Sequence, residues 1–239
     1  TETYGKFIPR PFPDLLEDET GLVSVNMGCV NAGIDAFLGE PAVLAAAARA
    51  RVTVVQVTGA HNLSNRFYQV HPRRNDRFVS ASTLLRTVFR EVDFTDFAFT
   101  RHLLGTLSDR APDRYELVVD ELRQTWVARM ALLLDRIESD TVLLWLAGHR
   151  PGNRQDDMLP VRDPLLVDAS MVEQVRPHAT HYVEVVASAE ALSAGTAGMA
   201  FGPLEAPAAL ALPGPMVHDE VVEALLPVLS AYVGEDPAP

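Results

Sequence analysis

Apolar runs of eight or nine residues alternate with longer helix-like segments along the chain, and this order predicts an α/β fold. Four runs have the apolar, β-branched character of buried strands, and they lie at 21–28, 51–59, 141–148 and 180–188. Helices between successive strands favour parallel pairing and cover both faces of the sheet. We therefore expect a three-layer α/β/α sandwich around a mainly parallel sheet.

The longest helical pattern follows Asp113, where Glu116 completes a capping-box arrangement three residues later. Apolar side chains recur along it at intervals of three and four residues, which predicts one continuously buried face. They are Tyr115, Val118, Val119, Leu122, Trp126, Met130, Leu133 and Ile137. A further apolar segment at 218–233 predicts a closing helix, which packs either on the sheet or on a second subunit of a homo-oligomer.

The composition limits the classes of protein that fit. A chain of 239 residues with 48% hydrophobic content can bury one large core, and we expect a single domain over 1–239. The net charge of −12 argues against nucleic acid and anionic membranes as partners. Since no apolar run approaches the roughly 20 residues of a membrane span, the sequence predicts a soluble protein. The single cysteine, Cys29, excludes an internal disulfide and fits a cytoplasmic location.

Neither a metal nor a cofactor is expected from the motifs. The histidines do not show the tight spacing of a metal site. The segment TYGKF ends like a phosphate loop, but Phe7 stands where the hydroxyl residue would follow the lysine.

A basic segment at 61–78, HNLSNRFYQVHPRRNDRF, directly follows the second strand-like run. Ligands of open α/β sheets bind beyond the carboxyl ends of the strands, so this segment is a candidate anion site. Its candidate ligands are Arg66, His71, Arg73, Arg74 and Arg77. The alternative is structural, because arginines in a long loop also fasten it to carbonyl and carboxylate groups.

Four short segments, in order along nearly the whole chain, resemble the sequence blocks of the SGNH (GDSL-type) hydrolase superfamily. TETYG at 1–5 is similar to the end of the first block, in which a nucleophilic serine precedes x-Thr-x-Gly. NMGCVNAG at 26–33 resembles the second block, TGAHN at 58–62 the third, and PMVHDE at 215–220 the last. The resemblance implies a flavodoxin-like sheet and acyl-transfer chemistry.

The same resemblance implies a catalytic role for five residues. Thr1 stands at the position of the nucleophile, and His218 stands where the family keeps its general base. Asn31 matches the backbone donor of the oxyanion hole, and either His61 or Asn62 matches the side-chain donor. Acyl transfer needs such a set because the nucleophile must lose a proton while donors stabilise the developing oxyanion.

The chain departs from the family pattern in two places. Pro215 occupies the position of the carboxylate that orients the histidine, so an acid would have to come from another loop. The strand that precedes the first block in the family is not in the sequence, and we expect the domain to lack this first strand. The whole pattern also resembles an uncharacterised bacterial domain family without a known activity.

Three functions follow from these features. The first is an ester hydrolase or acyl transferase that acts on a carbohydrate-type or anionic substrate. The second is a non-catalytic domain that binds an anion or a carbohydrate, with Arg73, Arg74 and Arg77 as anchors and Tyr68 as a stacking face. The third is transfer of a sulfate or acyl group to a surface polysaccharide. In each case the expected partner is a small molecule or a glycan.

Overall fold

The computed structural model describes residues 2–153 and 162–234, which form a mixed α/β protein. Its central sheet has three parallel strands in the order β1 (Val52–Gln56), β4 (Asp140–Ala147) and β5 (His181–Val186). A separate antiparallel hairpin is formed by β2 (Tyr68–His71) and β3 (Arg74–Ala81). The sheet therefore contains three of the four predicted strands.

Helices precede, connect and follow these strands. They are α1 (Phe12–Thr20), α2 (Ile34–Leu38), α3 (Pro41–Ala48), α4 (Thr83–Val88), α5 (Thr100–Arg110), α6 (Pro112–Arg136), α7 (Ala169–Val175), α8 (Ala189–Ala194), α9 (Ala206–Ala209) and α10 (Pro215–Leu229). Short 3₁₀ turns lie at Phe94–Asp96, Arg176–His178, Pro203–Glu205 and Ser230–Tyr232.

The central strand β4 sends its side chains alternately into two cores. Val142, Leu144 and Leu146 pack with α1 and α10, whereas Leu143 and Trp145 pack with α2, α6 and α7. Burial on both sides explains why this strand is continuously apolar rather than alternating in polarity. The mixed α/β class is thus confirmed, while the flavodoxin-like, three-layer arrangement stays a prediction.

The predicted apolar face of α6 is confirmed, because all eight of its side chains are buried. The predicted cap at Asp113 is wrong. The helix begins at Pro112, after Ala111, and no side chain caps it. Proline suits this position since its fixed φ is helical and the first turn needs no hydrogen bond from its nitrogen.

The strand predicted at 21–28 is wrong. This segment pairs with no other strand in the described residues, and the side chains of Val23 and Val25 are 83% and 73% exposed. An apolar β-branched run becomes a strand only if a neighbour satisfies its backbone groups, and the sequence of the run itself cannot supply that neighbour.

The basic segment was predicted to be a loop, but the structure forms the hairpin β2–β3 from its second half. Tyr68 and Val70 point into the core, and Gln69 and His71 point to solvent. This alternation has the period of two residues that a half-buried strand requires. The turn between the strands contains Pro72 and Arg73.

The closing helix α10 packs on the sheet. Val217, Val221 and Leu225 join the side chains of β4 and β5 in one core, so the apolar face of the helix is covered within the chain. A homo-oligomer stays a prediction. Across 2–153 and 162–234, no helix combines the length and apolar character that a membrane crossing requires.

Candidate functional site

The carboxyl end of β1 holds the first described residues of the chain. The side-chain oxygen of Gln56, the last residue of the strand, accepts hydrogen bonds from the backbone nitrogen of Thr3 at 3.2 Å and from its Oγ1 at 2.5 Å. Gln56 Nε2 donates to the Glu2 carboxylate at 3.0 Å. On its other side, Thr3 accepts a hydrogen bond from Asn26 Nδ2 at 2.9 Å. Glu2 is thereby fixed at the edge where ligands of α/β sheets bind.

His218 lies in the first turn of α10 and is 1% exposed. Its Nδ1 accepts a hydrogen bond from the backbone nitrogen of Phe12 at 3.0 Å. The ring is therefore neutral and carries its proton on Nε2. Burial lowers the pKa of His218 to about 4, although the nearby Glu2 carboxylate opposes this shift. Nε2 is buried and makes no hydrogen bond within the described residues.

A small cavity of about 10 Å³ lies beside this ring. Three polar residues line it, namely Glu2, Lys6 and His218. Its remaining lining is Gly5, Phe7, Ile8, Met199, Leu212 and Pro213. A cavity of this size is close to the volume that one water molecule needs. The ammonium group of Lys6 lies 3.8 Å from Glu205, so Glu2 and His218 are the residues whose polar groups concern this cavity.

His61 and Asn62 are buried in the loop that follows β1. Burial lowers the pKa of His61 to about 3, and the positive charge of Arg101 acts in the same direction. His61 Nδ1 is buried without a hydrogen-bond partner in the described residues. Asn62 Oδ1 accepts a hydrogen bond from Thr100 Oγ1 at 2.7 Å. Gly33 packs against this loop so closely that a Cβ there would lie 1.7 Å from the Asn62 carbonyl oxygen.

Asn31 is exposed and has a positive φ of 56°. Its Nδ2 donates to Asp76 at 3.4 Å, toward the hairpin. Neither Asn31, His61 nor Asn62 lines the cavity beside His218. Thr1, the predicted nucleophile, lies outside the described residues. The structure thus does not bring the predicted oxyanion donors into the histidine's cavity, and the catalytic set stays a prediction.

Most arginines of the basic segment have partners that fasten the fold. Arg66 pairs with Glu121 on α6 at 2.6 Å, Arg74 with Asp76 at 3.6 Å, and Arg77 lies 4.9 Å from the centre of the Phe99 ring. His71 Nδ1 accepts hydrogen bonds from the backbone nitrogens of Arg73 and Arg74, each at 3.2 Å, and so closes the turn.

Arg73 differs from its neighbours. It is exposed, and within the described residues its guanidinium makes no ion pair or hydrogen bond. The five predicted anion ligands therefore do not form one pocket, because three arginines point to separate partners on different elements. Anion binding by Arg73 and Arg74 stays a prediction.

Glu2 and Gln56 belong to none of the candidate sites expected from the sequence, and Lys6 lies in a segment that matches a phosphate loop only in part. Gln56 could have been identified from the sequence, because it is a polar residue at the end of the apolar run VTVVQ. A polar side chain at that position faces the edge where ligands of parallel sheets bind. No sequence pattern marks Glu2. It comes close to His218 only in the folded chain, because the two residues are far apart in sequence. Within the described residues, no three His, Cys, Asp or Glu side chains converge as a metal site.

The fold and site define a mixed α/β protein with a small parallel sheet and a polar, largely buried site at its carboxyl edge. The chain belongs to the family described as a domain of unknown function, DUF6473, whose model matches residues 1–233. No curated protein and no solved structure matches the chain. The resemblance to SGNH hydrolases rests on the four sequence motifs alone.

Proposed function

We propose that the carboxyl edge of the sheet is the active site of an SGNH-like ester hydrolase or acyl transferase with a flavodoxin-like, three-layer fold. Its substrate is a carbohydrate-type or anionic ester. One observation carries the proposal: the buried, neutral His218 lines a cavity together with Glu2, and its Nε2–H makes no hydrogen bond within the described residues. Buried polar atoms without partners are rare, and groups with strongly shifted pKa values concentrate at functional sites.

The tautomer of His218 favours a role different from the general base of the sequence motif. A base must present an unprotonated nitrogen to the nucleophile, whereas Nδ1 of His218 is occupied by the Phe12 N–H and Nε2 carries the proton. An N–H held in place by the protein is suited to stabilise the oxyanion of an acyl-transfer intermediate. We therefore assign oxyanion stabilisation to His218.

In the proposed reaction Glu2 is the general base, a role that the tautomer of His218 denies to the histidine. Gln56 holds Glu2 in the cavity of His218, where it accepts a proton from the attacking hydroxyl or water in the proposed reaction. The carboxylate oxygen that Gln56 binds is Oε2. The cavity has about the volume of the single water molecule that hydrolysis of an ester consumes.

The test compares hydrolysis of p-nitrophenyl acetate and acetylated sugars by wild type, His218→Gln and His218→Ala. A glutamine amide can donate a hydrogen bond from about the place of Nε2 but cannot act as a base. We expect His218→Ala to lose about 10²–10³ in kcat, as for loss of an oxyanion donor, and His218→Gln to retain much more activity. An equal loss of kcat in both variants would show that His218 acts as the general base instead. An inactive wild type would refute the catalytic proposal.

A matched control is His178→Gln. This histidine is partly exposed and pairs with Asp135 at 2.7 Å, away from the cavity lining. We expect it to leave turnover unchanged. Glu2→Gln should lower kcat without changing the thermal unfolding midpoint by more than a few degrees, because it keeps a side chain that can bond to Gln56.

Non-catalytic anion binding is the second candidate. The exposed guanidinium of Arg73 at the hairpin turn favours it, since it pairs with no group in the described part of the chain. Arg74 adds a second cation, since its side chain is 55% exposed and its contact with Asp76 is long at 3.6 Å. Replacing both arginines with alanine is expected to weaken binding of inorganic sulfate by about tenfold or more, measured by calorimetry. Unchanged affinity for sulfate would mean that the two arginines have a structural role only. Arg66→Ala is the control, because it removes an arginine that is paired with Glu121.

A further inference from the structure

A second groove lies at the opposite end of the sheet, beside the amino-terminal half of β5. Its volume is about 480 Å³, within the range of roughly 300–1,000 Å³ that small-molecule sites occupy. It is lined by Glu173, Arg176, Pro177, Ala179, Thr180, His181 and Tyr182. None of the residues predicted from sequence to form a site lines it.

A chain of hydrogen bonds reaches this groove from the first residue of β4. The Tyr232 hydroxyl donates to Asp140 Oδ2 at 2.9 Å, and His181 Nε2 lies 3.2 Å from the same hydroxyl. A phenol has one hydrogen, and Asp140 receives it, so His181 Nε2 must be the donor to the Tyr232 oxygen. Thr180 Oγ1 donates to the other oxygen of Asp140 at 3.1 Å, which fixes the carboxylate.

These hydrogen bonds make His181 Nδ1 a hydrogen-bond acceptor of defined orientation. With the proton of His181 on Nε2, Nδ1 carries a lone pair, and within the described residues Nδ1 makes no hydrogen bond. The ring is further held edge-on to Tyr232, with the two planes 84° apart. A carboxylate that orients an imidazole through an intermediate group is the arrangement by which proteins fix a histidine for use by a ligand.

Arg176 supplies a cation in the same groove. Its guanidinium lies 5.2 Å from the centre of the Tyr182 ring and 3.3 Å from Glu173. Its side chain is 53% exposed, and the pair with Glu173 is an exposed contact between residues three apart, a type that contributes little. A carboxylate from a ligand can displace Glu173 at small cost and bind the guanidinium with two hydrogen bonds.

We propose that this groove is a second ligand site, separate from the carboxyl-edge site, that binds a small hydroxylated carboxylate of the sugar-acid class. The ligand carboxylate binds Arg176, and a ligand hydroxyl donates to His181 Nδ1. Pro177 and Ala179 supply the apolar wall against which the carbon skeleton packs.

The first test is calorimetric titration of the protein with D-glucuronate and, in parallel, with D-glucose, which has the same ring without the carboxylate. We expect saturable binding of glucuronate and at least about tenfold weaker binding of glucose, as for loss of a hydrogen bond to a charged group. Absence of saturable glucuronate binding, or equal affinity for the two sugars, would overturn the proposal.

Two variants then locate the ligand. Arg176→Gln removes the cation at an exposed position, and His181→Phe keeps a ring beside Tyr232 but removes the acceptor. Each is expected to weaken glucuronate binding by about tenfold. Binding that neither variant changes would overturn the assignment to this groove. His218→Ala is the control that separates the two sites: it should leave glucuronate binding intact whatever its effect on ester hydrolysis.

Discussion

The two ends of the sheet use histidine in opposite ways. At the carboxyl edge, His218 is buried, its Nδ1 accepts a backbone N–H, and its Nε2–H has no partner among the described residues. At the amino edge, His181 is half-buried, its Nε2 donates to Tyr232, and no described residue bonds to its Nδ1 lone pair. The hydrogen bond that one ring nitrogen makes decides what the other offers, so the same side chain is a donor at one edge and an acceptor at the other.

The largest expected difference is in acid stability. Because burial lowers the pKa of His218 to about 4 from an unfolded value near 6.5, the unfolded chain binds more protons between these values. Stability is retained above pH 6.5 and is lost as the pH falls toward 4. His218 alone accounts for a loss of about 3 kcal/mol in the free energy of unfolding over this range. We expect the free energy of unfolding of His218→Gln, measured with urea, to fall by correspondingly less than that of wild type between pH 7 and pH 4.

His61 provides an independent check of the same physics. Its pKa is lowered to about 3, again by burial, so His61→Gln should reduce the acid loss in the same direction. A pH dependence identical to wild type in both variants would mean that neither ring is buried in the neutral form in solution.

A smaller effect is expected from Gln56→Leu. This change removes the amide that binds Glu2 and Thr3 while keeping a similar side-chain volume. The lost hydrogen bonds should cost about 1–2 kcal/mol in the free energy of unfolding, and amide exchange of 2–8 should accelerate. If exchange there stays at the wild-type rate, Gln56 does not hold this segment on the sheet. Gln69→Leu, on the solvent side of the hairpin, is the matched control.

The smallest change is expected from Tyr232→Phe, about 1 kcal/mol in unfolding free energy, since one hydroxyl is lost. Its diagnostic result is spectroscopic. Nitrogen NMR of His181 should show the proton confined to Nε2 in wild type and shared between both ring nitrogens in the variant. A wild-type tautomer in the variant would show that Asp140 and Tyr232 do not set the orientation of the ring. Tyr4→Phe, at an exposed tyrosine, should change neither quantity.

Sequence patterns predicted the elements whose signal is local. β1, β4 and β5 were found because they are rich in apolar and β-branched residues, and α6 because its apolar stripe repeats at intervals of three and four residues. The run at 21–28 is also apolar and β-branched, but among residues 2–153 and 162–234 no strand pairs with it. The hairpin β2–β3 was missed although Tyr68 and Val70 alternate with polar residues, because the surrounding charges made the segment resemble a loop.

The candidate site was predictable only in part, for the same reason. His218 at the start of the last helix was visible from its motif. Its partners were not, since Glu2 and Phe12 are more than 200 residues away in sequence. The proposed donor role also depends on which nitrogen the Phe12 amide occupies, and no sequence pattern encodes that.

The hydrogen bond between Phe12 and His218 has a consequence for biosynthesis. It joins residues 206 positions apart, and the packing of α1 against α10 closes the same long loop. Such contacts form late, because all of the chain between α1 and α10 must leave the ribosome before α10 can form. Until then Phe12 and Leu16 lack the α10 side of their core. We expect nascent chains that stop short of α10 to bind chaperones that recognise exposed apolar surface, and the completed chain to release them.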